Sequence, residues 1–358
     1  MAANSPSLVF SAGPAALAEI RAHGFDPARI GTLAGASGGA KWLVLSQLDR
    51  AILRSIVPKL EGPVHTIGTS IGAWRFGCYA QADPLAAIDR FEEAYLSQTY
   101  SEKPNRAEIT AKSREILDHV FGATGVSEVL SNPTLCMHVM TVRCRGLARS
   151  EQGGVLAAGL FAAATANAVS RRSLGRFFER VLFYDERVPP PFMALEGFPM
   201  HRVPMRADNL KDTILATGSI PLVLEGVPDI AGAPKGMYRD GGVIDYHLDF
   251  PHSSEDKLAL YPHFYDFLKP GWFDKHLSWR RPDRRHYENV VLLTPSAKFV
   301  ERLPHGKIPD RNDFRKFDYE SRVSYWREVL KESNRLADDF AKLVNDGAGI
   351  DTMKPFPV

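Results

Sequence analysis

Short apolar runs in this chain alternate with stretches whose hydrophobic positions recur every three or four residues. Leu8-Val9-Phe10 leads through Ser11-Ala12-Gly13-Pro14 into a short helical pattern that reaches about Ala22. A second run, Ile30-Gly31-Thr32-Leu33-Ala34, precedes Trp42, Leu45, Leu48, Ile52 and Ile56, which recur at helical spacing as far as Ile56. Val64 to Ile67 reads as the next strand and Ile71 to Ala80 as the next helix. Pro84 then opens a helix whose stripe is Leu85, Ile88, Phe91 and Tyr95. Strands and helices alternating at this tempo predict an α/β fold on a mostly parallel central sheet flanked by helices.

Further strands are expected at Leu135–Val142, Lys257–Tyr261 and Asn289–Thr294, whereas 188–205 is crowded with prolines and reads as irregular. The stretch Gly153–Val169 is rich in alanine and glycine. Thr165 and Asn167 interrupt it too much for a membrane span, and it reads as a tightly packed buried helix. The tail predicts one long amphipathic helix through Val323, Trp326, Leu330, Leu336, Phe340 and Val344, ending at Gly347. There is no repeat and no low-complexity linker. The expected organisation is one α/β domain over 1–300 with a helical C-terminal extension over 301–358 packed upon it.

Two loops carry candidate chemistry. Gly68-Thr69-Ser70-Ile71-Gly72-Ala73 follows the third apolar run, and a serine with a glycine two residues away on each side suits a tight strand-to-helix turn that exposes its hydroxyl. Gly35-Ala36-Ser37-Gly38-Gly39 repeats the spacing after the second run. A nucleophilic serine also needs a group to take its proton and donors for an oxyanion. Asp240, followed by Gly241 and Gly242, is a candidate base, and the amides of Gly38 and Gly39 are candidate donors, with Lys41 just beyond. Each motif alone has an ordinary reading as a turn. The Gly35–Lys41 loop could also cradle a phosphate, although it lacks the full phosphate-loop and dinucleotide patterns.

Composition changes this picture little. The 358 residues include 44 basic and 42 acidic side chains, a formal charge of +2, which gives no reason to invoke nucleic acid. Arginines cluster at Arg171, Arg172, Arg176 and Arg180 and again at Arg280, Arg281, Arg284 and Arg285. They read as solvated faces or internal ion pairs, with transient contact to a membrane surface as the active alternative. Cys78, Cys136 and Cys144 form neither a disulfide framework nor a zinc site. No H-E-x-x-H occurs and the histidines and acids lack ligand spacing, so neither metal nor cofactor is expected. The first residues lack the pattern of a signal peptide, and the cytoplasm is the default expectation. His247, in Asp245-Tyr246-His247, reads as a hydrogen-bonded wall residue, with a third catalytic member as its alternative. The aromatic stretch from Tyr261 to Trp279 is a candidate wall for an apolar cleft.

Taken in order, the motifs resemble those of the patatin-like phospholipase family. Gly68-Thr69-Ser70-Ile71-Gly72-Ala73 is similar to its nucleophile turn and Asp240-Gly241-Gly242 to its aspartate motif. Ser37-Gly38-Gly39-Ala40-Lys41-Trp42 resembles its oxyanion loop, with serine for the first glycine and tryptophan for the last. Ala216-Thr217-Gly218-Ser219-Ile220-Pro221 looks like the segment that precedes the aspartate. The resemblance covers residues 30 to 250. It implies a three-layer α/β fold and a serine–aspartate dyad, Ser70 and Asp240, that needs no histidine. It also implies an acyl-enzyme, an oxyanion site at Gly38 and Gly39, and a lipid or other acyl ester as substrate. Gly68, Gly72, Gly241, Gly242 and Lys41 would support that site. An alternative register makes Ser37 the nucleophile and Ser11-Ala12-Gly13-Pro14-Ala15 the oxyanion loop, but proline has no amide to donate. Acyl transfer through the same acyl-enzyme and a noncatalytic lipid-binding module are the competing functions. Head group, chain length and oligomeric state are not encoded legibly.

Overall fold

The computed structural model describes residues 6–254 and 256–357. Its strands are β1 (Leu8–Ala12), β2 (Ile30–Gly35), β3 (Val64–Gly68), β4 (Leu135–Cys144), β5 (Phe178–Tyr184), β6 (Met200–Pro204), β7 (Val227–Pro228), β8 (Met237–Asp240), β9 (Leu258–Pro262), β10 (Val290–Pro295) and β11 (Lys354–Pro355). Along the sheet they run β11–β1–β10–β9–β2–β3–β4–β5–β6, with β8 joining β4 and β7 joining β8. The stretch β10–β9–β2–β3–β4 is parallel throughout, while β1, β5 and β8 each enter antiparallel to a neighbour. The fold is therefore α/β with a mixed, mostly parallel sheet. The middle strands are buried along almost their whole length, as expected of parallel strands covered on both faces.

The helices are α1 (Pro14–His23), α2 (Ser46–Ser55), α3 (Ile71–Tyr79), α4 (Pro84–Leu96), α5 (Arg106–Phe121), α6 (Gly125–Ser131), α7 (Gly153–Val169), α8 (Leu210–Gly218), α9 (Ala297–Arg302), α10 (Asp313–Lys316), α11 (Tyr319–Glu332) and α12 (Asn334–Asp346). Helix α3 is buried along its entire length. It is pinned to α2 by a buried ion pair in which Arg75 Nε donates to Asp49 Oδ2 at 2.8 Å, and the Tyr79 hydroxyl donates to Asp49 Oδ1 at 2.9 Å. With those partners the carboxylate is satisfied, which is the condition for burying an ion pair without a large penalty.

Register decides where the candidate residues meet. Strand β3 pairs with the first half of β4 and ends with Gly68 opposite Val139. Thr141 of β4 faces Val181 of β5 on one side and Asp240 of β8 on the other. Strand β8 therefore takes over the edge of β4 that β3 vacates. The loop leaving β3 and the end of β8 arrive at the same place, two residues apart along β4.

Four expectations change. The segment from Trp42 to Ile56 starts as a 3₁₀ turn over Gly39–Leu45 before α2 begins. The proline-rich stretch contains a strand at Met200–Pro204, paired in parallel with β5, and proline is tolerated because Pro204 ends it. The long tail helix is two helices that meet at Ser333, whose hydroxyl donates to Leu330 O at 2.7 Å. Gly347 caps the second with φ of 67°, the left-handed conformation that glycine permits. Finally, α7 is helical but not a buried helix. Leu156, Gly159, Leu160, Ala163 and Asn167 face inward, while Phe161 is 76% and Val169 87% exposed. Small residues signal close packing, and that holds along the inner stripe, where a Cβ on Gly159 would lie 2.7 Å from Ala148 N.

The C-terminal segment packs α12 against α2 and adds β11 to the sheet beside β1. Residues 310–315 reach the wall of the central cavity described next. Among the described residues no helix is long and apolar enough to cross a membrane.

Candidate active site

Ser70 sits between β3 and α3 with φ of 52° and ψ of −130°, a conformation that costs a non-glycine residue on the order of 1–3 kcal/mol. The surroundings hold it there. The Ser70 amide donates to Thr217 Oγ1 at 2.9 Å, and the Thr217 hydroxyl donates to Met140 O at 2.6 Å. The flanking glycines are required by contact. A Cβ on Gly68 would lie 2.4 Å from Ala73 N, and one on Gly72 would lie 2.0 Å from Gly35 O. The two glycine-rich loops are thus pressed backbone to backbone.

Ser70 Oγ donates to Asp240 Oδ2 at 2.8 Å. Asp240 is fixed from its other side, where Oδ1 accepts the Gly242 amide at 2.8 Å, and its own amide donates to Ser219 O at 3.1 Å. The segment Ala216–Pro221 therefore supports both partners, Thr217 holding the serine and Ser219 the aspartate. Gly241 has no room for a side chain, since a Cβ would lie 2.1 Å from Met140 O. One on Gly242 would lie 2.3 Å from Ser37 Oγ. Burial pushes the Asp240 carboxyl up to about 6, against the lowering effect of the Gly242 amide and the Ser70 hydroxyl.

Ser37 lies in the same wall, but its hydroxyl donates to Thr69 Oγ1 at 2.9 Å, and Thr69 in turn donates to Asp245 O at 3.1 Å. The carboxylate of Asp245 is taken up by Arg180 in a two-pronged pair at 2.7 Å for each bond. Ser37 thus ties the two glycine loops together, and the hydroxyl bonded to Asp240 is that of Ser70. Gly38 and Gly39 line the cavity beside these groups. Among the described residues neither of their amides has an acceptor. A Cβ on Gly38 would run into the Phe264 ring at 2.4 Å, whereas Gly39 has φ of 55° and faces open space.

The cavity has a volume of about 590 Å³. Ile71, Trp74, Ile109, Ile116, Val223 and Leu224 give it apolar walls, and Lys41, Lys275, Arg311 and Arg315 bring positive charge. Lys41, Lys275 and Arg311 form no ion pair among the described residues, while the nearby Asp310 is engaged by Lys307 at 3.2 Å. Lys41 Nζ lies 5.7 Å from the centre of the Phe264 ring, and Lys275 Nζ lies 4.0 Å from that of Tyr246. Burial, and then the charges of Lys41 and Arg311, bring Lys275 down to about 8, and burial lowers Lys41 as well.

Among the described residues no histidine lines the cavity. His247 is buried, accepts the Lys269 amide at Nδ1 (3.0 Å) and stacks on Tyr246, and burial holds its pKa well below the usual imidazole range. From the aromatic stretch Tyr261–Trp279, Trp272 reaches the cavity with Lys275, Phe264 backs Gly38, and Trp279 points outward. Sequence reasoning missed Thr217 as a support, although its segment was singled out. It also missed Lys275 and Arg311, which lie far along the chain in unremarkable local contexts. Among the described residues no cluster of histidine, cysteine and acidic side chains could hold a metal ion.

No family model matches the chain, and no curated protein matches it. Among solved structures it is similar to VipD from Legionella pneumophila, at 12% identity and a TM-score of 0.31 over 67% of this chain and 51% of that one. Human GIVD cytosolic phospholipase A2 is similar at 12% identity and a TM-score of 0.42, over 94% of this chain and 62% of that one. The same human enzyme in complex with methyl γ-linolenyl fluorophosphonate and terbium chloride gives 14% identity and a TM-score of 0.35, over 94% and 61%. This chain spans between half and two thirds of the length of these proteins.

Proposed function

We propose that the chain is a serine acyl hydrolase that cleaves carboxylic esters of lipids through Ser70 and Asp240. The observation that carries this reading is the 2.8 Å hydrogen bond from Ser70 Oγ to Asp240 Oδ2 at the wall of a cavity with apolar sides. Ser70 Oγ attacks the acyl carbonyl while Asp240 takes its proton. The amides of Gly38 and Gly39 receive the oxyanion. Collapse expels the alcohol, which leaves with the proton from Asp240. Water, deprotonated by the same carboxylate, then releases the acyl group and restores Ser70. The patatin-like motifs support the same assignment. The unpaired Lys41, Lys275 and Arg311 favour an ester that also carries an anionic group, and a phospholipid or lysophospholipid combines that group with an acyl chain for the apolar walls.

A fluorophosphonate probe is expected to label the protein at Ser70, located by peptide mass spectrometry, and Ser70→Ala is expected to abolish labelling and turnover. Labelling at Ser37 would replace the nucleophile, and an active protein that resists the probe would remove the class.

The pH profile separates the two charge systems. Asp240 must be ionised to accept a proton, so kcat/KM is expected to rise with pH through about 6 for every substrate. Lys275 loses its charge above about 8, so a falling limb there is expected for anionic esters and not for neutral ones. Equal profiles for a lysophospholipid and a neutral nitrophenyl ester would take Lys275 out of head-group recognition.

A further inference from the structure

Helix α7 is 17 residues long and carries no charged side chain. Its inner stripe shares a buried cluster with Val243 and Ile244, the residues that follow Asp240-Gly241-Gly242. Its outer face presents Ala158, Phe161, Ala162, Thr165 and Val169 to solvent. Other exposed apolar groups gather beside it. Leu147, 52% exposed, belongs to the turn against which Gly159 is packed. Trp279, 64% exposed, precedes Arg280, whose Nη2 donates to Asn167 O of α7 at 2.8 Å. Val169, Phe161 and Trp279 are the most exposed large apolar side chains among the described residues; the first two lie on the outer face of α7, and the third is the chain neighbour of the arginine bonded to its last turn. Scattered apolar side chains need no explanation, but a contiguous exposed patch does.

The charge beside this patch is predominantly positive. Arg149, Arg172, Arg176 and Arg281 are exposed and form no ion pair among the described residues. From Arg145 to Arg176 the chain contains one acid, Glu151, which is engaged by Arg106 and Arg239. Arg171 and Arg280 instead turn inward to Asp274 and make the scaffold rigid, and Arg171 Nη2 also donates to Ile244 O at 2.7 Å.

We propose that the outer face of α7, with Leu147, Trp279 and the surrounding arginines, is a docking surface for an anionic lipid bilayer. The apolar side chains enter the headgroup boundary and the arginines meet lipid phosphates, with the helix lying along the surface. A second copy of the chain does not suit this face. Two-fold pairing would set the same arginines against each other, while Glu151 and Asp274, the acids named beside the patch, are already engaged. The surface stands apart from the hydrolytic reading. Its consequence is positional, because α7 shares a buried cluster with Val243 and Ile244, which follow the Asp240 turn.

The test uses the full chain bearing Ser70→Ala, so that binding is read without turnover and failure of the hydrolase reading leaves the result intact. It is expected to co-sediment with vesicles of phosphatidylcholine and phosphatidylglycerol in equal parts, to ignore vesicles of phosphatidylcholine alone, and to release on raising salt. Adding Phe161→Ser with Val169→Ser is expected to weaken binding by about tenfold or more. Arg172→Gln and Arg176→Gln are each expected to weaken it roughly fivefold. The melting temperature of these variants should match that of the parent, which separates lost docking from lost folding. Equal binding to neutral vesicles, indifference to the apolar variants, or no binding at all would overturn the proposal. So would a concentration-dependent dimer in gel filtration that Phe161→Ser with Val169→Ser dissolves, because the face would then belong to a second copy.

Discussion

Asp240→Asn is expected to lower kcat/KM for ester hydrolysis by at least about a thousandfold while leaving the melting temperature at neutral pH equal or higher. The amide is nearly the same shape, and its oxygen can still accept the Gly242 amide that now bonds Oδ1 at 2.8 Å. What it cannot do is take the proton from Ser70. The stability half of the expectation follows from linkage. The carboxyl is raised from 3.8 to about 6 by burial, so the folded protein holds that proton more tightly than the unfolded chain does. Stability therefore falls as pH rises from about 4 to about 6, and above that the ionised carboxylate costs on the order of 3 kcal/mol. Asparagine does not ionise and avoids this cost, so its advantage should be present at pH 8 and gone at pH 4. Ester hydrolysis and thermal melts at those two pH values read both halves. A variant that keeps most of its turnover, while His247→Ala loses it, would replace the proposed dyad with a histidine mechanism. A lower melting temperature at pH 8 would make Asp240 a structural carboxylate.

The same balance recurs around the site. Ser70 occupies an unfavourable backbone conformation, Asp240 is a buried carboxyl, and Lys41 and Lys275 sit in the wall with no ion pair among the described residues. Each of these lowers stability, and together they lie at one end of the parallel strands where loops from β2, β3 and β8 converge. Functional sites are where such local conflicts are expected, because the surrounding core must hold them in place.

How much of this was legible in the sequence depends on the range of the forces involved. The first strands and helices were readable because a 3.6-residue period and a proline or glycine at an element's end act locally. That Ser70, Gly38 and Asp240 meet at one cavity was readable because backbone crowding writes small residues into fixed spacings. Strand β5 and the short β8 were not, since each depends on β4 for pairing and carries little periodicity of its own. Arg311 was not, because it reaches the cavity only through the path of the C-terminal segment. Helix α7 shows a different limit. Alanine and glycine allow close packing without saying on how many sides it occurs, so a helix with one packed stripe and one bare face read as fully buried.

Gly72→Ala is expected to cost more stability than any other single methyl addition in the serine loop, about 3 kcal/mol or more, and to remove activity with it. The added carbon would lie 2.0 Å from Gly35 O and 2.3 Å from Gly35 C, which are backbone atoms of β2 in the buried sheet. A flexible side chain could swing away, but a central strand cannot. Helix α3 must instead lift from β2, and it carries Ser70 at its first turn and the buried Arg75–Asp49 pair along its length. Lifting it would stretch the 2.8 Å contact between Ser70 and Asp240, so turnover should fall even in the fraction that remains folded. Gly154→Ala is the matched control. A Cβ there meets nothing within 4 Å, and the residue lies in the first turn of α7, where alanine is the better helix former by about 1 kcal/mol. Urea unfolding of the two variants beside the parent should therefore move the midpoints in opposite directions. A Gly72→Ala protein with parental stability and turnover would mean that the two glycine loops are not pressed together, and the placement of Ser70 beside Asp240 would lose its physical basis.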